Sequence, residues 1–359
     1  MTEEIENEGV EPQEEFDTPN KEQGVLYLGI DLGTSRTSVS ASNGVRDTVA
    51  SYVGYPKDVV SRKLLKRDVL FGDEAVEKRL SLNFYRPLAH GVIKEGQEAE
   101  VNLKAARDLL AEIIRRAKPR KDELVYAVIG APAQASINNK DAIVQAARES
   151  VDSVMLCSEP FSVAYGLDML DDVLVIDIGA GTTDLCRMHG TMPEEADQIT
   201  VTYAGDWIDN KLSDLLQESF PEAQFSIQMV KSIKEKHANV GDDAGRVKVK
   251  LPVNGKPTEF DVTEQLHEAC WGIVPPIVEG LNQLIATFDP EFQDKLKNRV
   301  LLAGGGSQIK GLDIAIERHM QEQLGGGRVI RTEEPMYGGA SGALKIAHDM
   351  PAEFWEELK

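Results

Sequence analysis

The stretch that decides the fold is Ile30-Asp31-Leu32-Gly33-Thr34-Ser35-Arg36-Thr37-Ser38-Val39, because its pattern returns at Ile176-Asp177-Ile178-Gly179-Ala180-Gly181-Thr182-Thr183-Asp184-Leu185. Each copy reads apolar-Asp-apolar-Gly-x-x-x-Thr-x-apolar, and Asp177 lies 146 residues after Asp31, about the length of one domain. The pattern predicts a buried strand that ends in Asp, a turn of small residues and a returning strand. We therefore predict two halves of similar design.

The two turns, residues 33–35 and 179–182, have the composition of anion-binding loops. Small residues let a ligand approach the backbone, whose consecutive N–H groups then face its negative charge. An Asp at the end of a buried strand is costly without a cation, and it can hold Mg²⁺ directly or through water. Two such devices facing each other would clamp a polyphosphate and its metal between two domains. Two ordinary hairpins with glycine turns are the alternative.

A third glycine-rich turn, Leu301-Leu302-Ala303-Gly304-Gly305-Gly306-Ser307, follows a predicted strand and opens a predicted helix at 307–323. Its bare backbone and the helix N-terminus favour a flat or charged ligand group. This turn is not GxGxxG, and the sequence has no GxxxxGK[ST], GxSxG or HExxH. P-loop, serine-triad and zinc chemistries therefore have no support.

Composition narrows the function further. The 359 residues carry 39 basic and 60 acidic side chains, a formal net charge of −21, and the isoelectric point is near 4.8. Such a balance argues against a nucleic-acid binder and against binding to anionic lipid. The sequence has no run of 18 apolar residues and no signal-peptide pattern, so we expect no membrane insertion. Three widely spaced cysteines are typical of a reduced, cytoplasmic chain.

The remaining sequence alternates strands and helices. Strand signals lie at 25–31, 124–129, 151–156, 173–178, 199–204 and 299–303, and helical signals at 100–118, 138–149, 159–170, 206–219 and 226–238. Val253-Asn254-Gly255-Lys256 predicts a hairpin turn, and Pro275-Pro276 predicts a break in the helical stretch 263–288. Alternation of this kind predicts an α/β fold. Residues 1–24, with nine acids and one base, are predicted to be a disordered acidic tail.

The three loops, in this order, resemble the nucleotide-binding signature of the actin, heat-shock-protein-70 and sugar-kinase superfamily. Two connecting helices complete the resemblance, Ser158-Glu159-Pro160-Phe161-Ser162-Val163-Ala164-Tyr165-Gly166 and Gly338-Gly339-Ala340-Ser341-Gly342-Ala343. The resemblance covers about residues 25–348, and its five motifs occur in the order typical of the superfamily. The resemblance implies an actin-like fold, two ribonuclease-H-like domains with a nucleotide cleft between them. Domain I would take 25–170, with an outer subdomain at 55–100; domain II would take 171–335, with a subdomain at 206–262; and 336–359 would return to domain I.

Within the superfamily the chain is similar to bacterial actins, and more narrowly to those of magnetosomes. The similarity lies in Tyr52-Val53-Gly54-Tyr55-Pro56-Lys57-Asp58-Val59, Arg86-Pro87-Leu88, Val128-Ile129-Gly130-Ala131-Pro132-Ala133 and Pro351-Ala352-Glu353-Phe354-Trp355. It implies a polymerising cytoskeletal ATPase in the cytoplasm, whose filaments organise magnetosomes into a chain and turn over by hydrolysis. Its partners would be further copies of itself and magnetosome-associated adaptor proteins. Alternatives are a small-molecule kinase, a chaperone-like ATPase or a cell-shape or division actin.

The resemblance also implies site residues, with ATP and Mg²⁺ as cofactors. Asp31 and Asp177 would hold hydrated Mg²⁺, and Glu159 would orient the attacking water, with Asp177 beside it in catalysis. Lys234 and Glu235, on the predicted helix 226–238, fall where relatives contact ribose or adenine. The other nucleotide-binding residues would be those of the three loops: Gly33, Thr34, Ser35 and Arg36; Gly179, Ala180, Gly181, Thr182 and Thr183; Gly304, Gly305, Gly306 and Gln308.

One locally basic segment stands out against the acidic chain, Ser61-Arg62-Lys63-Leu64-Leu65-Lys66-Arg67-Asp68. By the resemblance it lies in the outer subdomain that makes longitudinal filament contacts. A basic, partly apolar surface is suited to an acidic neighbour. A solvated loop is the competing interpretation.

Overall fold

The computed structural model of the protein describes residues 24–358, and the two largest sheets in that range repeat one strand order. The described strands are, in chain order, β1 (Gly24–Leu32), β2 (Arg36–Ala41), β3 (Arg46–Ala50), β4 (Val53–Pro56), β5 (Leu70–Phe71), β6 (Leu82–Tyr85), β7 (Leu88–Ala89), β8 (Val92–Ile93), β9 (Glu123–Ala131), β10 (Ser153–Ser158), β11 (Val173–Ile178), β12 (Thr183–Met188), β13 (Gln198–Val201), β14 (Lys248–Val253), β15 (Lys256–Asp261), β16 (Val300–Ala303) and β17 (Val329–Arg331).

The first sheet runs β3-β2-β1-β9-β10 and the second runs β13-β12-β11-β16-β17. In each, the central strand pairs antiparallel with its hairpin partner and parallel with the strand on its other side. The internal repeat thus corresponds to a duplicated sheet, and the predicted α/β, actin-like fold is confirmed. We call the part built on the first sheet domain I and the part built on the second domain II.

Helices cover both sheets and supply the connections between parallel strands. They are α1 (Val59–Leu65), α2 (Gly72–Glu77), α3 (Ala99–Arg116), α4 (Ile137–Ala147), α5 (Glu159–Gly166), α6 (Gly205–Ser219), α7 (Ile227–His237), α8 (Thr263–Trp271), α9 (Val274–Ala286), α10 (Pro290–Lys297), α11 (Leu312–Leu324), α12 (Gly338–Asp349) and α13 (Ala352–Glu357). Over residues 24–358, none of these helices combines the length and apolarity of a membrane span.

Each domain carries a smaller appendage. In domain I, β5, β4 and β6 form a three-stranded sheet beside α1 and α2. In domain II, β14 and β15 form a hairpin that turns at Asn254 (φ 49°) and Gly255 (φ 77°). The predicted Asn-Gly turn is confirmed, because these two residues supply the positive φ angles that a two-residue hairpin loop requires.

Helices α5 and α12 pack between the two sheets in direct backbone contact. A Cβ added at Gly342 of α12 would lie 1.7 Å from the carbonyl oxygen of Ser162 in α5. A Cβ added at Gly29 of β1 would lie 2.0 Å from the carbonyl oxygen of Ala340. Glycine is therefore required at these crossings, and it lets α12 bridge the central strand of domain I and the helix that leads to domain II.

Several predicted element bounds are wrong for identifiable reasons. The predicted helix 307–323 begins only at Leu312, after a 3-10 turn at Gly305–Gln308, because Gly304 and Gly311 have φ angles of 76° and 72° that no α-helix contains. The predicted helix 159–170 ends at Gly166, shortly before Asp168 at φ 55°. The predicted strand 199–204 ends at Val201.

Two further predictions concern the helical stretch 263–288 and the N-terminal tail. The stretch 263–288 divides into α8 and α9, and prolines occupy the first turn of α9, where a missing N–H costs nothing. The predicted break is confirmed. The predicted acidic tail lies outside the described residues, except for Gly24, which begins β1.

Candidate functional site

The first loop of the site connects β1 and β2 and has little room for side chains. A Cβ at Gly33 would lie 2.5 Å from the carbonyl oxygen of Arg36, so the tight turn depends on glycine. Ser51 donates its hydroxyl to the Gly33 carbonyl at 2.6 Å, which fixes the loop from behind. The hydroxyl of Thr34 is buried and accepts a hydrogen bond from the Gly91 N–H at 2.7 Å.

The second loop connects β11 and β12 in the same way, and it faces the first. The Gly179 N–H donates to the Thr182 carbonyl at 2.9 Å, which closes the turn. A Cβ at Gly181 would lie 2.6 Å from Oγ1 of Thr34. The two loops of the internal repeat therefore meet across the boundary between the domains, as the anion-clamp interpretation of the sequence requires.

His90 lies between the two loops, in the turn that joins β7 and β8. Its Nδ1 lies 3.1 Å from the Gly181 carbonyl oxygen of the second loop, while the neighbouring Gly91 N–H bonds Thr34 of the first. The turn therefore touches both loops at once. Sequence reasoning missed His90, since nothing in its local pattern indicates where a distant hairpin folds back.

Four carboxylates lie at the inner end of the two loops: Asp31, Glu159, Asp177 and Asp184. Burial raises the pKa of Asp31, and burial together with the charges of Asp31 and Asp184 raises the pKa of Asp177. Burial also raises the pKa of Glu159, and the charges of Asp31, Asp184 and Asp177 raise it further. Raised carboxylate pKa values in a cleft are typical of a functional site.

This acid group is chemically suited to a cation. Among residues 24–358, no Lys or Arg forms an ion pair with any of the four carboxylates. The described residues also contain no group of three or more His, Cys, Asp or Glu side chains placed to hold a metal by themselves. The charge of the acid group is thus not offset by a lysine or arginine, and carboxylate oxygens such as those of Asp31 and Asp177 are the ligands that Mg²⁺ uses directly or through water.

Asp184 is a member of this group that sequence reasoning did not assign. Its Oδ1 accepts from the Thr200 hydroxyl at 2.5 Å and from the Ala133 N–H at 3.0 Å, whereas its buried Oδ2 has no hydrogen-bond partner within the described part of the chain. In the strand register, Asp184 of β12 lies opposite Asp177, just as Ser38 of β2 lies opposite Asp31 in the other sheet. The sequence signal for Asp184 was therefore an acid in the second copy of the repeat where the first copy has a serine.

The third loop places bare backbone against the acids. A Cβ at Gly304 would lie 2.2 Å from Oδ1 of Asp177, and one at Gly306 would lie 2.2 Å from Cγ2 of Ile178. Gly305 is exposed, with open space around its Cα. The expected α-helix N-terminus is absent here, because a 3-10 turn follows the loop and α11 begins at Leu312.

Helix α7 forms the domain II wall of the cleft. Lys234 pairs with Asp209 at 2.7 Å and donates to the Gly205 carbonyl at 2.8 Å, so its ammonium is held beside the second loop. Glu235 is half-exposed and faces the opening. Both residues stand where a ligand in the cleft could reach them.

The loops, acids and α7 enclose one cavity of about 430 Å³. Of the predicted site residues, all but two line it. Thr183 is fully buried and donates its hydroxyl to the Tyr203 carbonyl at 2.7 Å, and Gly304 lies behind the cavity wall. The predicted residues that line the cavity are Asp31, Gly33, Thr34, Ser35, Arg36, Glu159, Asp177, Gly179, Ala180, Gly181, Thr182, Lys234, Glu235, Gly305, Gly306 and Gln308.

Comparison with known proteins identifies the family. The family model described as MreB/Mbl protein matches residues 26–353. The actin-like protein MamK of Paramagnetospirillum magneticum is 39% identical over 333 residues, which cover 93% of this chain and 95% of that protein.

Solved structures of MamK have the same fold. A MamK double helical filament superposes with a TM-score of 0.88 at 38% identity, covering 91% of this chain and 100% of the filament chain. A non-polymerising MamK mutant bound to AMPPNP, with the same coverage and 39% identity, superposes with a TM-score of 0.69. The chain therefore belongs to the actin-like MreB/Mbl family.

Proposed function

We propose that the protein is an ATP-dependent cytoskeletal ATPase that polymerises into actin-like filaments and organises magnetosomes into a chain. The observation that carries the proposal is the superposition on a MamK filament subunit at a TM-score of 0.88. The non-polymerising mutant has nearly the same identity and coverage but a score of 0.69. At nearly equal sequence identity and coverage, the structure of this chain is thus more similar to the filament subunit than to the non-polymerising mutant, which supports the proposal.

The chemistry follows from the cleft. Backbone N–H groups of residues 33–35 and 179–182 would bind the phosphates from both sides. Asp31 and Asp177 would hold Mg²⁺ through its waters, and the ion would offset the phosphate charge. Glu159 would accept a hydrogen bond from the attacking water and orient it toward the terminal phosphate. Phosphoryl transfer needs mainly positioning and electrostatic stabilisation, which these groups can supply.

Filament formation would be coupled to the nucleotide through the conformation of the cleft. ATP would contact both domains and favour the arrangement that assembles, whereas hydrolysis would remove contacts to one phosphate and weaken the filament. Such filaments would work in the cytoplasm, where adaptor proteins would connect them to magnetosomes.

Sedimentation tests this proposal directly. The protein is incubated with ATP·Mg²⁺, with ADP·Mg²⁺ and without nucleotide, phosphate release is followed, and pellets are imaged by negative stain. We expect ordered filaments that depend on ATP and release phosphate. ATP turnover without polymer at any protein or salt concentration would contradict the proposal and favour a kinase or chaperone-like ATPase.

A further inference from the structure

Beside the first loop, residues 33–35, an aromatic side chain is held between two cations. Tyr52, which lies between β3 and β4 of domain I, is buried and stacks on Phe84 with ring centroids 5.1 Å apart. The guanidinium carbon of Arg86 lies 6.0 Å from the Tyr52 ring centroid, and Nζ of Lys231 lies 5.8 Å from it. Arg86 belongs to domain I and Lys231 to α7 of domain II, so the ring is shared between the domains.

Both cations also hold the first loop, residues 33–35. Nζ of Lys231 donates to the Ser35 hydroxyl at 2.5 Å. Nε of Arg86 donates to the Thr34 carbonyl at 3.0 Å, while its Nη2 pairs with Asp206 in the first turn of α6 at 2.9 Å. Each cation therefore connects the first loop of domain I to a helix of domain II.

Lys231 differs from the other lysines of α7 in what surrounds its charge. Lys234 is neutralised by Asp209 at 2.7 Å, and Lys236 is exposed to solvent. Lys231 is only 17% exposed, and its nearest carboxylate, Glu235, is 4.0 Å away. A neutral hydroxyl does not offset an ammonium, so the Lys231 charge gains most from a negative charge brought near Ser35.

We propose that Lys231 and Arg86 are positioning residues that make closure of the cleft between the domains depend on what the first loop holds. The inference rests on the proposed function. A polyphosphate bound to the loop amides adds negative charge beside both cations, strengthens their attraction to the loop and holds the domains together. Loss of the terminal phosphate removes part of that charge and favours separation. The two residues would thus connect the nucleotide to filament competence without contacting the reacting atoms.

Lys231→Met tests the proposal, because it keeps the length of the side chain and removes the charge. Nucleotide affinity is measured with a fluorescent ATP analogue below the concentration at which filaments form. The critical concentration is measured by sedimentation in ATP·Mg²⁺ and in ADP·Mg²⁺. We expect the nucleotide affinity of Lys231→Met to stay within about threefold of the wild-type value and its critical concentration in ATP to rise about tenfold. The critical concentration in ADP divided by that in ATP is expected to fall toward one. Lys231→Arg is expected to restore the wild-type values.

Controls separate this effect from damage to the fold. Lys250→Met removes a charge from an exposed residue of β14 in the same domain, outside the cavity, and is expected to behave as wild type. Arg86→Met acts from the other domain and is expected to produce the same shift as Lys231→Met, with an unchanged melting temperature for both variants. Small-angle scattering of the monomer is expected to show compaction on adding ATP in the wild type and not in Lys231→Met.

Two outcomes would overturn the proposal. An unchanged critical concentration and an unchanged ADP-to-ATP ratio in Lys231→Met would show that the contacts do not couple nucleotide to assembly. A loss of nucleotide affinity as large as the rise in critical concentration would make Lys231 a direct ligand instead. Failure of the proposed function can be distinguished from failure of this inference, because the wild type itself would then form no filaments. The scattering measurement would still test whether ATP closes the cleft.

Discussion

Glu159 is placed in the first turn of α5, where an acid suits the positive end of the helix dipole. The same position brings it among Asp31, Asp177 and Asp184, whose charges add to burial in raising its pKa. A fourth acid beside three others costs folding free energy when no protein cation accompanies it. This cost supports the proposed role of Glu159 in the cleft.

Replacing Glu159 with Ala is therefore expected to slow hydrolysis without preventing assembly. The water near the terminal phosphate loses its orienting acceptor, so phosphate release is expected to fall about 10²-fold, while binding through the loop backbones remains. Filaments should form with ATP and disassemble slowly. Light scattering after ATP is exhausted measures this. Glu149→Ala, an exposed acid outside the cleft, is the control, and disassembly of Glu159→Ala at the wild-type rate would mean that hydrolysis does not time filament turnover.

Site residues could be predicted where their position repeats or where a motif resembles that of a known family. Asp31 and Asp177 were recognisable because both copies of the repeat end a buried strand with Asp. His90 and Lys231, by contrast, contact partners on distant segments, Gly181 and Ser35. Such contacts depend on how the domains pack, and no local pattern encodes them.

At the scale of elements, the contact between α12 and α5 depends on the absence of side chains. Gly342 brings α12 so near α5 that an added Cβ would overlap the Ser162 carbonyl oxygen. Gly338, four residues earlier in the same helix, has only Cγ2 of Val163 nearby, at 3.9 Å. One helix thus offers a crowded glycine and an uncrowded one for comparison.

We expect Gly342→Ala to destabilise the protein by about 1–3 kcal/mol, because α5 and α12 must move apart to admit the methyl group. Gly338→Ala is expected to leave stability unchanged or to raise it slightly, since Ala is the better helix former. Thermal unfolding followed by circular dichroism compares the two. Equal melting temperatures would contradict the close packing of α12 on α5.

The bounds of an element could be predicted where the pattern of apolar residues alone sets them. They could not be predicted where the backbone conformation of a glycine sets them. Strand 173–178 was predicted with the bounds of β11, an unbroken apolar run. The start of α11 was not, because Gly304 leads into a 3-10 turn and the positive φ angle at Gly311 interrupts the predicted helix 307–323. The sequence permits glycine either conformation, and packing against Asp177 and Gly241 selects one.

At the scale of the whole molecule, the basic segment identified in the sequence forms a surface of mixed character. Its residues 61–65 belong to α1, which begins after the Asp58 cap, so the loop alternative is wrong for these five residues. The apolar side chains of α1 are strongly exposed, Val59 to 83% and Leu64 to 71%, beside Arg62 and Lys63. On a chain of net charge −21, such a surface is suited to an acidic and partly apolar neighbour.

Reversing the two charges, as Arg62→Glu with Lys63→Glu, is expected to raise the critical concentration for assembly about three- to tenfold. The added acids would repel the acidic surface of the next subunit, and the effect should diminish at high salt. Sedimentation at two salt concentrations measures both. Lys121→Glu, in the exposed turn after α3, serves as the control, and a critical concentration equal to that of the wild type would make α1 a solvated helix.

The position of α12 and α13 at the end of the described chain, packed on domain I, determines the order in which the two domains can fold during synthesis. Trp355 is fully buried, stacks on Tyr126 at 5.0 Å and accepts a hydrogen bond at its carbonyl from Ser153, 202 residues earlier. The ribosome delivers these covering helices only after all of domain II. Domain II can therefore complete its fold first, while the apolar face of domain I around Tyr126 stays exposed until α12 and α13 are made. Because transiently exposed apolar surface promotes aggregation, we expect domain I to be the more aggregation-prone half during that interval.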